Sequence, residues 1–164
     1  MAALQAIVTS VKAGEMFWLQ INARDAVDLF TVIGTLSFDK DLIEVQLSDG
    51  LPIWEPSTDG GLFGGGDDFD ITIPEPGKLE IGLLPPTNNN NGVSGTGECI
   101  RIQFKAIAPG QTVITWLPGR GAYERDADPN SQTGVKLLPA TFDDLSLEVK
   151  GLSGLFITLN ILPA

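Results

Sequence analysis

Between Leu29 and Phe38 the sequence alternates apolar and polar side chains, and runs of this kind recur along the chain, each ended by glycine, proline or acidic residues. A period of two is that of a β-strand, whose successive side chains point to opposite faces, and not the 3.6-residue period of a helix. The alternation predicts nine strands: Leu4 to Val11, Glu15 to Ala23, Leu29 to Phe38, Ile43 to Leu47, Phe69 to Ile73, Lys78 to Leu84, Glu98 to Ile107, Thr112 to Leu117 and Thr141 to Val149. Turn chemistry supports these breaks: Lys-Ala-Gly at 12–14, Pro-Glu-Pro-Gly at 74–77 and Ala-Pro-Gly at 108–110 supply proline or glycine where the chain must reverse. Short reversals join antiparallel neighbours, so the expectation is an all-β, antiparallel sandwich. Longer loops are expected at 48–68, 85–97 and 118–134.

The run Ile33 to Val45 is punctuated in an informative way. Phe30, Val32, Leu36 and Phe38 share one face of the third strand with Gly34, while Thr31, Ile33, Thr35 and Ser37 share the other. The run halts at Asp39-Lys-Asp41, then Leu42, Ile43 and Val45 resume it. An aspartate carboxylate can accept hydrogen bonds from the free amides of a single turn. The halt is therefore read as a crossover from one layer of a sandwich to the other.

At 164 residues with 43% hydrophobic content, the chain can bury one sizeable core, and 19 Gly with 11 Pro interrupt it too often for long helices. Ten basic against twenty-one acidic side chains give a net charge of −11, which repels nucleic-acid phosphates and anionic membranes. Histidine is absent and cysteine occurs once, at Cys99. Ser-His-Asp and Cys-His catalysis, His-containing zinc sites and an internal disulfide cannot be assembled from this chain alone. The opening residues 1–11 lack the charged start and apolar run of a secretory signal. No window approaches the roughly 18 apolar residues of a membrane span, so membrane insertion is not expected.

The ordered set Val11, Gly14, Glu15, then Leu36, Phe38, Asp39, Leu42, Val45, then Gly95, Gly97, Cys99, Ile102, Phe104, Lys105 and Gly110 resembles the cohesin domain and the cohesin-like modules of bacterial surface and secretion proteins. Phe38 stands where tyrosine is common in that family, and Cys99 where an aliphatic is usual. The resemblance implies a flattened nine-stranded barrel of jelly-roll topology over residues 1–150. It also implies a non-catalytic module, extracellular or at the cell surface, that holds a calcium-loaded dockerin-like partner and needs no cofactor of its own. The docking face would be built from the third, fifth, sixth and eighth strands. Alternation places Thr31, Ile33, Thr35 and Ser37 on it, with Asp68, Asp70 and Thr72, with Glu80 and Gly82, and with Val113, Thr115 and Leu117. Ile33, Val113 and Leu117 would form its apolar centre, and its carboxylates suit a partner helix carrying Lys or Arg.

Other signals compete with that reading. Asp126, Asp128 and Asn130 alternate like the start of a calcium loop, but the sixth and twelfth residues are Ser131 and Leu137, where an EF-hand needs Gly and Glu. A proline- and asparagine-rich turn is the simpler account. The glycine-rich stretch 60–70 lacks the Gly-Lys-Ser/Thr ending of a phosphate loop. Asp67, Asp68, Asp70 and Glu75, or Asp143 and Asp144, would need a defined separation in space to act as a glycosidase pair. Trp18, Trp54, Trp116 and Tyr123 offer an alternative, a carbohydrate-binding platform, with Trp54 and Tyr123 placed in loops and Trp116 on the side of Thr112 and Ile114. The apolar extension 151–164, with Leu155, Ile157, Leu159 and Ile161 at strand alternation, is expected to add an edge strand or to pair two copies, which leaves a self-assembling surface domain as a further alternative.

Overall fold

The computed structural model describes residues 2–6, 10–56, 62–63, 69–84, 92–151, 159 and 161–163. In chain order the strands are β1 (Ala2–Ala6), β2 (Ser10–Lys12), β3 (Met16–Leu29), β4 (Thr31–Ser37), β5 (Ile43–Val45), β6 (Leu47–Ser48), β7 (Leu51–Pro52), β8 (Trp54–Pro56), β9 (Asp70–Thr72), β10 (Lys78–Leu83), β11 (Val93–Ala106), β12 (Gly110–Trp116), β13 (Gly121–Arg125), β14 (Val135–Leu138) and β15 (Leu145–Lys150). One sheet runs β1-β3-β11-β5, with β8 also on β11. The second joins β14, β13, β4, β12, β15 and β2, with β10 on the other edge of β4 and β9 beyond it. All described residues are strand, turn or irregular, and none is helical.

The core lies between these layers because each sheet turns one row of its alternating side chains inward. Leu19, Ile21, Ile100, Ile102 and Phe104 come from the first sheet, and Leu36, Leu79, Ile81, Ile114 and Leu147 from the second, all fully or almost fully buried. Phe104 is stacked on Phe17 and meets the edge of Phe38, with centroids 5.6 and 5.2 Å apart. Offset and edge-on geometries of this kind bring the positive ring rim to a negative ring face.

The punctuation at Asp39 is the layer crossover expected of it. The Asp39 carboxylate accepts from the Asp41 amide at 2.9 Å, and the Asp39 carbonyl accepts from Leu42 and Ile43, both at 3.1 Å. Asp39's own amide donates to Thr112 Oγ1 at 3.0 Å, which ties the turn to β12. β4 lies in the second sheet, and β5, which follows the turn, pairs with β11 in the first.

Several expectations are corrected. The described residues hold fifteen strand segments rather than nine. The first expected strand, Leu4 to Val11, is two: β1 pairs antiparallel with β3 in one sheet, while β2 pairs parallel with β15 in the other. That parallel contact brings the two ends of the module together, and it departs from an all-antiparallel arrangement. The expected break between Ala23 and Leu29 is instead a continuous β3 that absorbs extra residues as bulges. Asp25 and Asp28 take φ of 55° and 53°, and their displaced amides donate to Thr96 Oγ1 and Ser94 Oγ, each at 3.0 Å. The loops expected at 48–68 and 118–134 contain β7, β8 and β13, the loop expected at 85–97 holds the start of β11 at Val93, and the last strand starts at Leu145 rather than Thr141.

Candidate functional site

The four strands named for the docking face, β9, β10, β4 and β12, are consecutive neighbours in the second sheet. Their register places the candidate side chains in rows. Asp70 lies opposite Gly82, which lies opposite Ile33. Thr72 lies opposite Glu80, which lies opposite Thr35. Ser37 lies between Lys78 and Thr115. The Leu117 amide donates to the Thr35 carbonyl, and Val113 is paired with Ser146 on β15. Adjacent strands in a sheet are about 4.8 Å apart, so these rows form one continuous surface.

Exposure differs within the set. Ile33 is 45% and Val113 52% exposed, and Asp70, Thr72 and Glu80 are open to solvent. Thr35, Ser37, Gly82, Thr115 and Leu117 are half-buried between their neighbours. Ile33 and Val113 do not meet in one central patch, because the register puts Thr35, Ser37 and Thr115 between them. The face is a band of small hydroxyl side chains with an aliphatic toward each end.

Thr31 is a correction. It is 3% exposed, and its Oγ1 has no hydrogen-bond partner among the described residues. The reason lies in the stretch expected as a loop: β13 pairs with β4, placing Tyr123 opposite Thr31 and Gly121 opposite Ile33, and β14 pairs with β13. The hairpin closes over that end of the face. A buried hydroxyl without a partner costs about 1–3 kcal/mol. Asp68 lies outside the described residues.

The residues missed from the sequence are those the hairpin brings in. Thr133 and Val135 line one groove with Ile33, Asp70 and Glu80. The Tyr123 ring lies over Gly121, so close that a β-carbon there would sit 2.7 Å from the phenol oxygen. Two alternating stretches, 121–125 and 135–138, flank the turn-rich Asp-Pro-Asn segment, and that pattern is a hairpin signal. Lys78, Ser146 and Glu148 also border the face through their pairing with Ser37, Val113 and Gln111.

Several residues of the competing signals have structural contacts, while Asp67 and most of the glycine-rich stretch 60–70 lie outside the described residues. Asp126 Oδ1 accepts from the Asp128 amide at 3.0 Å, and Asp128 Oδ1 accepts from the Asn130 amide at 2.9 Å, so two of the three candidate calcium ligands cap their own backbone. Among the described residues no group of three or more Cys, Asp or Glu could hold a metal ion. Burial pushes the Cys99 thiol up to about 12, which leaves almost no thiolate at neutral pH. Trp116 is buried, edge-on to Phe142 at 5.2 Å. Trp54, expected in a loop, is half-buried on β8 and tilted against Phe69 at 5.4 Å. Tyr123, also expected in a loop, is half-buried on β13, and with Trp18 on β3 the aromatics are divided between both sheets.

On the opposite sheet, Arg101 grips Glu98 with two parallel bonds, Nε to Oε1 at 2.7 Å and Nη2 to Oε2 at 2.9 Å. The guanidinium holds the Glu98 carboxyl below the usual glutamate range, and Glu98 raises Arg101 in turn. Among the described residues no helix is long and apolar enough to cross a membrane.

The two packed sheets form a jelly-roll β-sandwich with one open sheet face of small side chains. More particularly, the fold is that of the cohesin domains. The seventh type I cohesin of ScaB from Pseudobacteroides cellulosolvens superimposes with a TM-score of 0.69 at 13% identity, over 97% of this chain and 98% of that one. A non-cellulosomal cohesin from the archaeon Archaeoglobus fulgidus gives 0.66 at 15%, over 91% of each chain. The OlpC cohesin–dockerin complex from Clostridium thermocellum gives 0.67 at 13%, over 92% and 93%. At such identities the likeness shows the fold. No family model matches the sequence, and no curated protein matches it.

Proposed function

We propose that the chain is a non-catalytic recognition module that docks a dockerin-like partner across the outer face of β9, β10, β4 and β12. One observation carries the reading: Ile33 and Val113 stand exposed on a stiff sheet, separated by hydroxyl side chains small enough to let a helix approach the backbone. Interfaces draw most of their energy from such apolar anchors, with polar groups at the rim. The calcium would belong to the partner, and the module would work outside the cell or on its surface, as a unit covering residues 1–150. A structural neighbour, the OlpC cohesin of Clostridium thermocellum, forms a complex with a dockerin, which supports a docking role for this fold.

Isothermal titration calorimetry against the dockerin modules encoded in the same genome tests this. Binding is expected with at least one module, abolished by a calcium chelator and weakened about a hundredfold by Ile33→Asp, the scale of losing one anchor residue. Absence of heat with every module would overturn the reading.

The exposed side chains of Leu159, Ile161 and Leu162 support a second role for residues 151–164 in pairing two copies. Sedimentation equilibrium should then show a concentration-dependent dimer that disappears when these residues are deleted; a monomer at all concentrations would sink this second role.

A further inference from the structure

At the end of the docking face nearest the β13–β14 hairpin, a groove of about 420 Å³ opens between the two walls. Ile33, Leu84 and Val135 give it apolar sides, and Asp70 and Glu80 bring carboxylates to it. Phe30 and Thr31 also line it.

The charges around the groove are unevenly satisfied. Lys136 pairs with Glu124 at 3.1 Å, and Lys78 pairs with Glu75. The Arg125 guanidinium lies 5.6 Å from the Phe30 ring centroid. Asp70 and Glu80, by contrast, form no ion pair with any described residue. They sit diagonally across the β9–β10 ladder, since Asp70 faces Gly82 while Glu80 faces Thr72. Their diagonal placement on one face lets a single cation meet both.

We propose that this groove receives a single extended cationic side chain, lysine or arginine, from the docked partner, and that the hairpin wall makes this a specificity element of the face. An aliphatic stem would lie along Ile33, Leu84 and Val135 while its charged head meets Asp70 and Glu80, the division of labour long cationic side chains adopt at apolar surfaces. The identity of the partner rests on the docking reading above; the chemistry of the groove does not.

The test separates the two. The ¹⁵N-labelled full chain is titrated with n-butylguanidinium, a lone cationic side chain, and with n-butanol, its uncharged counterpart. Saturable amide shifts are expected at Ile33, Gly82, Leu84, Thr133 and Val135 with the cation, and binding about tenfold weaker with the alcohol or in the Asp70→Asn, Glu80→Gln double variant. Both substituted positions are exposed, and an otherwise unchanged amide spectrum verifies the fold. Shifts that are absent, that match those of n-butanol, or that scatter over the other carboxylates would overturn the groove. If a dockerin binds in calorimetry but the double variant binds it equally well, the groove proposal fails and the docking reading stands. If no dockerin binds while n-butylguanidinium still localises here, the docking reading fails and the groove stands.

Discussion

Gly34 faces the core from the middle of β4, where the Trp116 ring lies flat against the backbone. A β-carbon there would sit 2.6 Å from Cζ3 and 2.7 Å from Cε3 of that ring, and 3.1 Å from the Arg120 β-carbon. Trp116 cannot retreat easily, because its far side is packed edge-on against Phe142. Gly34→Ala should therefore destabilise the fold by about 1–3 kcal/mol, the usual cost of overpacking, measured as a lower urea midpoint with an unchanged slope. Glu98 and Arg101 offer a different test at the same scale, since both side chains are mostly shielded, at 13% and 24% exposed. The folded-state Glu98 carboxyl is depressed, so the pair stabilises the protein above the ordinary glutamate range and loses that contribution as pH falls through the folded value. At pH 7 Glu98→Gln should cost about 1 kcal/mol in chemical denaturation, and the gap from wild type should close progressively as the solution is taken below about pH 4.5. A gap that stays constant with pH would mean the loss comes from packing rather than charge.

The turn at 39–42 decides which sheet receives the chain after β4, and the Asp39 carboxylate is what holds it closed. Asp39→Ala should cost about 1 kcal/mol, in the range of a lost capping interaction, while Asp39→Asn should recover most of it because the amide oxygen can still accept. Thermal unfolding of the two variants side by side checks this, and equal losses would show that the Thr112 contact alone sets the turn. This element was legible in the sequence because its signal is local: alternation, an acidic halt, alternation again. The side-chain parity of β4, β10 and β12, the strands of the proposed docking face, was legible for the same reason, as Thr35, Ser37, Thr115 and Glu80 each follow the alternation of their own strand. Thr31 was not, because its burial is imposed by a hairpin more than ninety positions later in the chain, and parity says nothing about what a distant segment covers. The break expected between Ala23 and Leu29 fails for a related reason: Thr96 and Ser94 accept from the Asp25 and Asp28 amides across the sheet and let the strand continue. The split of β1 from β2 has the same origin, as pairing with β3 and β15 is a tertiary choice.

For the molecule as a whole, the net charge of −11 acts at longer range than any of these contacts. Arg101 is already engaged by Glu98, and Lys40, Lys78 and Lys136 each sit beside a carboxylate, so the field a partner meets on approach is dominated by the acidic excess. Such a field accelerates encounter with a basic partner and is screened over roughly 10 Å at 0.1 M salt. The aliphatic anchors Ile33 and Val113 act only at contact, where salt has little effect on them. The two contributions should therefore separate kinetically. With a basic dockerin-like module in stopped flow, the association rate constant should fall about tenfold between low and high ionic strength while dissociation changes little. Ile33→Asp should do the reverse, leaving association nearly unchanged and speeding dissociation, whereas Glu80→Gln should slow association modestly and flatten its salt dependence. Salt dependence confined to dissociation would place the decisive charges inside the interface rather than around it, and would assign the acidic excess to solubility alone.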